Sequence, residues 1–456
     1  MENDLLIYDK WDLTPPDILP RSTLHSLAPI GVGSSDVESL TSYVARLADS
    51  HQVTTGILLI YQIAPLISLL LPHQSNIDTK IIFSKLIDRN SGAANGVGLI
   101  ASSLLLAIEQ LTFRPELKFL TLLSWSGILH DRGLLRPHSA WCPMCYEEWK
   151  EKNLTIYEPL IWKFKIITTC SHHQVFLSSK CPHCQQIISH LSSRSKPGYC
   201  SKCHQWLGTL HLSQENMTPD ELTWQVFVTN NVGSVLASTP YLLKIPYKQD
   251  IFQNLKRCID LTTSGNKQAF AKLINSAKQT IFNWYEGNSF PQILALLKIC
   301  YCLNISLFNL LTSNIYDIDI HNINDLNPTQ CSKMNHYLPF DEIKALLLDY
   351  VDKSPPIPME KVAQEVGQNI RDLYRFFPEI CRSIAIKSKK YRHYLSEKKI
   401  ETLYEQAKSA AIELANLGIY PSDSKVQNHL NWKGHMKNKK IRDYLAQVRR
   451  ELGFDK

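Results

Sequence analysis

Apolar residues recur along this chain mostly at helical spacing. Val37, Leu40, Val44 and Leu47 follow one another at intervals of 3, 4 and 3 residues, the stripe of an amphipathic helix. Ser35-Asp-Val-Glu38 fits a capping box at its start. Two denser apolar runs come next, Gly56–Leu71, which contains Gln62 and Pro65, and residues 96–111, diluted by Gly98, Ser102, Ser103 and Glu109. Both fall short of the roughly 20 apolar residues of a membrane span and read as buried helices.

The same period returns after residue 262. In QAFAKLINSAKQTIFNWYEGNSFPQILALLKICYCLNISLFNLL (268–311), Phe270, Leu273 and Ile274 mark one helical face, and Asn275-Ser-Ala is a polar break. Lys278–Tyr285 then forms a second helix with Ile281 and Trp284 inward, and Pro291 suits the first turn of a third. Residues 357–377 read helix, glycine turn at Gly367, helix, with Pro378 as a stop; Asn369, Arg371, Asp372 and Arg375 form the exposed face. Ser396–Leu417 is a long helix closed by Gly418, and residues 420–453 hold two short helices around Gly434. The first of these units resembles the helix-turn-helix domain of phage-repressor-like proteins, and the other two repeat its logic. By that resemblance helix 278–285 enters the major groove, with Gln279 and Asn283 suited to adenine edges, Lys278 to phosphate or guanine, and Thr280 beside them.

Charge sharpens this picture. The 456 residues carry 49 Lys plus Arg against 42 Asp plus Glu, a net of +7. Residues 381–456 alone hold 17 basic and 8 acidic side chains, so the other 380 sum to −2. A basic end on a nearly neutral body suits double-stranded DNA. Lys387, Lys389, Lys390 and Arg392, and beyond them Lys437, Lys439, Lys440 and Arg442, are suited to phosphates, which position a protein without reading sequence.

Cysteine usage adds chemistry. Seven of the twelve cysteines lie between Cys142 and Cys203. Cys142-Pro-Met-Cys145 is followed after 24 residues by Cys170-Ser-His-His173, and Cys181-Pro-His-Cys184 after 15 residues by Cys200-Ser-Lys-Cys203. The second set has zinc-ribbon spacing. Seven thiols cannot all pair as disulfides, whereas adding one histidine gives eight ligands for two closed four-ligand zinc sites. The expected sets are Cys142, Cys145, Cys170 and His173, and Cys181, Cys184, Cys200 and Cys203, with His172 an alternative to His173. Closed sites leave no position for a reacting water, so two zincs per chain are expected to be structural. The acidic, proline-broken start resembles no signal peptide, and clustered thiols suit a reducing cytoplasm. No Walker A loop and no spaced carboxylate constellation is present, so no enzyme activity and no membrane association are expected.

The front half also resembles a known family. RSTLHSLAPIGVGSSDVESLTSYVARLADSH (21–51), SWSGILHDRGLLRPHSAWCPMCYEEW (124–149), IWKFKIITTCSHHQVFLSSKCPHCQ (161–185) and PGYCSKCHQWLG (197–208) are similar to the TniQ/TnsD proteins of transposition target-site selection, with CSHHQ in place of the more usual CPxHG. The resemblance covers about residues 12–212. It implies no catalysis, but a DNA-bound selector that recruits a TnsC-like AAA+ ATPase and, through it, a transposase. Short members instead dock onto a CRISPR effector, which makes such an adaptor the runner-up. Some 240 residues beyond the zinc region favour the longer, TnsD-like reading. A transcription regulator would leave the zinc region without a purpose.

The expectation is a mainly α, multidomain helical protein with two zinc-stabilised, ribbon- or knuckle-like modules and serial helix-turn-helix units. Its divisions are residues 1–120 (helical), 121–212 (two zincs), 213–262 (connector), 263–314 (repressor-like unit), 315–338 (linker), 339–395 (second unit) and 396–456 (basic third unit).

Overall fold

A computed structural model describes residues 21–70, 83–84, 86–210, 218–312, 340–366, 370–432 and 434–454. The expected linker 315–338 lies outside them. Among the described residues the protein is mainly helical, and its β content is limited to isolated bridges. The chain forms two compact units, residues 1–337 and 338–456.

The first helix is shorter than its stripe. Helix α1 (Leu40–Ser50) starts one residue after Ser39, whose side chain accepts from the Ser42 N–H. The capping box expected at Ser35–Glu38 is therefore not formed. Glu38 is fully buried and its carboxylate accepts from Arg46 Nε at 2.7 Å, Arg46 Nη2 at 2.8 Å and Ser42 Oγ at 2.9 Å. A buried carboxylate needs charged or hydrogen-bonded partners, and Arg46 outcompetes the helix end for it. Leu40, Val44 and Leu47 do face the core; Val37 is buried just ahead of the helix. The extended residues beside it pair with the metal region, Leu160 N donating to Val37 O and Ser39 N to Glu158 O.

Helix α2 (Thr55–Leu58) runs through a π turn at Leu59–Ile63 into α3 (Ala64–Leu70). Pro65 accounts for the widened turn, because it cannot donate to the carbonyl of Tyr61 four residues back. Helix α4 (Leu99–Thr112) buries Leu104, Leu105, Ile108 and Leu111. Both apolar runs thus pack inward. No single described helix is long and apolar enough to cross a membrane; α1 and the following helix pass such a test only as a pair bent by 100°.

Helix α5 (Pro143–Glu151) opens the cysteine region, which is otherwise built of turns and bridges. Beyond it, α6 (Pro219–Ser238) begins with a complete capping box between Thr218 and Glu221. Helices α7 (Lys248–Thr263), α8 (Lys267–Leu273), α9 (Lys278–Tyr285), α10 (Ile293–Leu303) and α11 (Leu307–Thr312) follow. Pro291 lies just ahead of α10, whose cap is Gln292, rather than in its first turn. One buried apolar core runs from Leu24 to Leu311 through all of these elements.

The second unit comprises α12 (Phe340–Asp352), α13 (Met359–Val366), α14 (Ile370–Phe376), α15 (Pro378–Asn416), α16 (Asp423–His429) and α17 (Lys439–Glu451). Pro378 begins a helix here instead of only ending one, since proline at the first helical position loses no hydrogen bond. The helix expected at 396–417 therefore starts 18 residues earlier, and residues 395 and 396, read as a boundary, lie in its middle. Two separate cores pack on it. One joins Leu347, Val362 and Leu373 to Cys381 and Ile384; the other joins Val426, Ile441 and Leu445 to Ala410, Ala411 and Leu414.

Candidate metal centres and nucleic-acid interface

Three of the four ligand pairs sit on the same turn. In each, the N–H of the first cysteine donates to the carbonyl five residues on: Cys170 to Val175, Cys181 to Gln186 and Cys200 to Gln205. The N–H four residues on returns to the cysteine carbonyl, from Gln174, Gln185 and His204. Those three residues are left-handed, with φ of 52°, 55° and 61°. The turn brings together side chains at positions one and four, which are Cys170 and His173, Cys181 and Cys184, and Cys200 and Cys203. The fourth pair uses a helix end: Cys142 caps α5, Pro143 fills its first position, and Cys142 Sγ accepts from the Cys145 N–H.

These turns assemble two clusters, and within each the ligand atoms lie within 4.8 Å of one another. In the first, His173 Nδ1 is 3.6 Å from Cys142 Sγ, 3.3 Å from Cys145 Sγ and 3.7 Å from Cys170 Sγ, with Cys145 and Cys170 Sγ 3.5 Å apart. In the second, Cys181 and Cys203 Sγ are 3.6 Å apart and Cys184 and Cys200 Sγ 3.8 Å. A tetrahedral zinc with Zn–S of about 2.3 Å and Zn–N of about 2.05 Å requires S···S edges of about 3.8 Å and S···N edges of about 3.5 Å. The donor sets fit that ion in number, kind and spacing. None of the seven cysteines is in a disulfide. The crowded sulfurs split in their acidity: burial holds the Cys181 thiol up to about 12 and the sulfurs of Cys142 and Cys170 raise Cys145, whereas hydrogen bonds from Cys142 and Cys145 lower Cys170 and the backbone N–H of Gln205 lowers Cys203 to about 7.

The two adjacent histidines have separate surroundings. His173 Nε2 faces Glu148 Oε2 at 3.4 Å, so the proton belongs on Nε2 and leaves Nδ1 free for a metal. His172 turns to Asp36 Oδ2 at 3.1 Å, a contact that raises its pKa.

Around the clusters lies a wedge of rings. Trp149 stacks on Tyr157 and Trp162, and Tyr146 meets Trp162 and Trp206. Trp206 Nε1 donates to Glu147 Oε2 at 2.6 Å. Gly198 makes room for this ring: its φ is 81°, and a Cβ there would lie 2.4 Å from Trp206 Cζ3. A set of buried charges that sequence reading missed lies in the same region. Lys163 is fully buried against Glu158 and Ser139, burial lowers Arg136 to about 10, and Arg136 donates to the carbonyls of Phe164 and Ile167. His190 Nε2 donates to Arg136 O at 2.9 Å, while its buried Nδ1 has no partner. Residues scattered from 136 to 190 give no local signal of such a cluster.

Helices α8 and α9 form a helix-turn-helix. Asn275 takes the left-handed position in the turn, with φ of 49°, and Ile281 and Trp284 are buried. Lys278 and Gln279 are exposed; Thr280 and Asn283 are half-buried. Gln279 Nε2 donates to Asn283 Oδ1 at 3.1 Å. In the second unit Arg371 is exposed on α14, while Asn369 and the side chains of Asp372 and Arg375 lie outside the described residues. Lys389, Lys390 and Arg392 are exposed on α15, and Lys437, Lys439, Lys440 and Arg442 are exposed at or near the start of α17. Lys387 is engaged internally, donating to Val351 O at 2.8 Å at the end of α12.

Residues 29–177 match the family model described as TniQ, so about a third of the chain, including the first metal cluster, is similar to that family. The family is associated with target-site selection in transposition. A search of curated proteins finds no match to this chain.

Proposed function

We propose that this chain is a non-catalytic, TnsD-like target-site selector: it reads an attachment site on double-stranded DNA and recruits a TnsC-like AAA+ ATPase, which brings the transposase. The observation that carries the DNA-reading half is α9, with Ile281 and Trp284 anchoring one face in the core and Lys278, Gln279 and Asn283 on the other. A helix held by two buried anchors presents its remaining face rigidly, as major-groove reading demands. The helix-turn-helix-like units of residues 339–395 and 396–456 each read a few further base pairs, while the basic residues of α15 and α17 meet phosphates. Similarity to TniQ over residues 29–177 supports the transposition context.

Two zinc ions per chain, each with four protein ligands, hold the front half in shape. Zinc here supplies cross-links between turns that have little core of their own. Family resemblance points to the N-terminal helical region and the zinc region as the surface that meets the ATPase, and the residues similar to TniQ overlap both.

Footprinting the purified chain on DNA beside its natural insertion site tests the reading. A defined protected duplex, bound with an affinity that falls steeply with salt, is expected. No preference for any duplex over random DNA at about 150–200 mM salt, together with co-purification of an RNA-containing effector, replaces direct reading with the CRISPR-adaptor role.

A further inference from the structure

Helix α15 holds two modules apart. Its first part carries the core shared with α12, α13 and α14, and its last part the core shared with α16 and α17. Between Ser388 and Ala407 it has no fully buried residue, and only Leu403 and Tyr404 at the end of this stretch pack against the second core. A bare helix of this kind is stable because each end is nucleated by a packed core, which removes the main cost of forming it alone.

We propose that α15 is a ruler that sets two DNA-reading modules one duplex turn apart, so that they engage successive major grooves on one side of the DNA. This rests on the DNA-reading function proposed above. Ile384 and Ala410, at the centres of the two attachment zones, are 26 residues apart, about 39 Å along a helix rising 1.5 Å per residue. Modules that read half-sites one turn apart stand about 34–36 Å from each other. A tilt of about 25° between α15 and the duplex axis brings the two lengths together.

Helical phase agrees with the length. At about 100° per residue, the buried positions Cys381, Ile384 and Ser388 and the buried positions Ala407, Ala410, Ala411 and Leu414 centre on directions roughly 100° apart. Both modules thus occupy one side of the rod. Between Ser388 and Ala407, Lys389, Arg392 and Lys399 fall within the arc these two faces span, whereas Glu397, Glu401 and Glu405 fall on the opposite arc together with Lys390 and Lys398, which only partly offset them. The side that carries the modules is therefore the positive one, as a polyanion facing that side requires. A flexible connector would set neither distance nor phase.

Footprints of the full-length protein test the ruler. Residues 338–456 should give two protected patches about 10 bp apart, the distal one erased by combining Lys440→Glu with Arg442→Glu. Inserting 5 or 10 bp between the patches should lower wild-type affinity at least tenfold in both cases. A variant with five EAAAK repeats between Ser396 and Glu397 gains about 37 Å while nearly keeping helical phase. It should lose the natural site and regain affinity on the site lengthened by 10 bp. Wild-type affinity within twofold on the lengthened sites overturns the ruler even where the variant fails to fold, as does a variant that keeps the natural spacing. Normal DNA binding with no patch that depends on Lys440 and Arg442 refutes DNA reading by this unit, and the ruler with it. Absence of any DNA preference in the wild type refutes the proposed function itself.

Discussion

Gln279 and Asn283 are tied to each other across one turn of α9, Gln279 Nε2 donating to Asn283 Oδ1 at 3.1 Å. The bond uses the amide N–H of Gln279 and the carbonyl oxygen of Asn283, so the Gln279 carbonyl oxygen and the Asn283 amide N–H remain as an acceptor and a donor one helical turn apart. Adenine presents the complementary pair, an N6 donor beside an N7 acceptor.

Because the pair acts as one group, its substitutions should be non-additive. Gln279→Ala and Asn283→Ala are each expected to cost about 1–3 kcal/mol on the preferred site and to relax specificity at one base pair. The double variant should cost clearly less than the sum. Titration of labelled duplexes at fixed salt measures all three; strict additivity would show that the bond plays no part in reading.

Metal content separates the two histidines. Elemental analysis should find about two zincs in the wild type and about two in His172→Ala. His173→Ala and Cys145→Ser should each fall to about one, and Cys200→Ser should lose the other ion. Acid should release both, since protons compete for thiolates and imidazole, so occupancy falls as pH falls.

His190 gives the pH dependence its sign. Burial, followed by the charge of Lys163, pushes its pKa well below the ordinary 6.5. The unfolded chain therefore binds a proton that the folded chain refuses. Stability from this group is complete above about pH 6.5 and falls below it by up to about 1.4 kcal/mol per pH unit. His190→Gln keeps a donor for Arg136 O and removes the titration. Urea melts at pH 7.5 and 5.5 should show a smaller acid loss in the variant; equal losses would mean that His190 protonates freely in the folded state.

Two glycines separate strain from crowding. Gly198 and Gly434 both have positive φ, 81° and 86°. A Cβ on Gly434 meets nothing within 4 Å, whereas on Gly198 it collides with Trp206. Gly434→Ala should cost about 1–2 kcal/mol, and Gly198→Ala about 2–5 kcal/mol with a shift in tryptophan emission. Equal costs would contradict the close packing of Trp206.

What the sequence made readable was local. The Lys278–Tyr285 helix has the expected bounds because its stripe, turn and anchors lie within a few residues of one another. The ligand pairs were readable because a two-residue spacer between ligands is a property of the turn itself. The expected preference for His173 over His172 agrees with the clusters, in which all three turns bring together ligands at positions one and four. The full length of α15 was hidden, because residues exposed all round show no periodicity and Pro378 reads equally as a stop or a start. The role of Glu38 is hidden in the local pattern, because its partner Arg46 lies two turns further along and the helix begins only at Leu40. The cluster of Arg136, Lys163 and His190 exists only once distant turns have met.

Cys142, Cys145 and Cys170 are also members of the core that runs from Leu24 to Leu311. Residues 338–456 have their own two cores and, among the described residues, no metal cluster. Loss of metal from the two clusters is thus expected to act on the first unit and to spare the second. The anchors of α9, Ile281 and Trp284, belong to the same core as those cysteines, so stripping the metal is expected to loosen the helix-turn-helix of the first unit together with the cysteine turns.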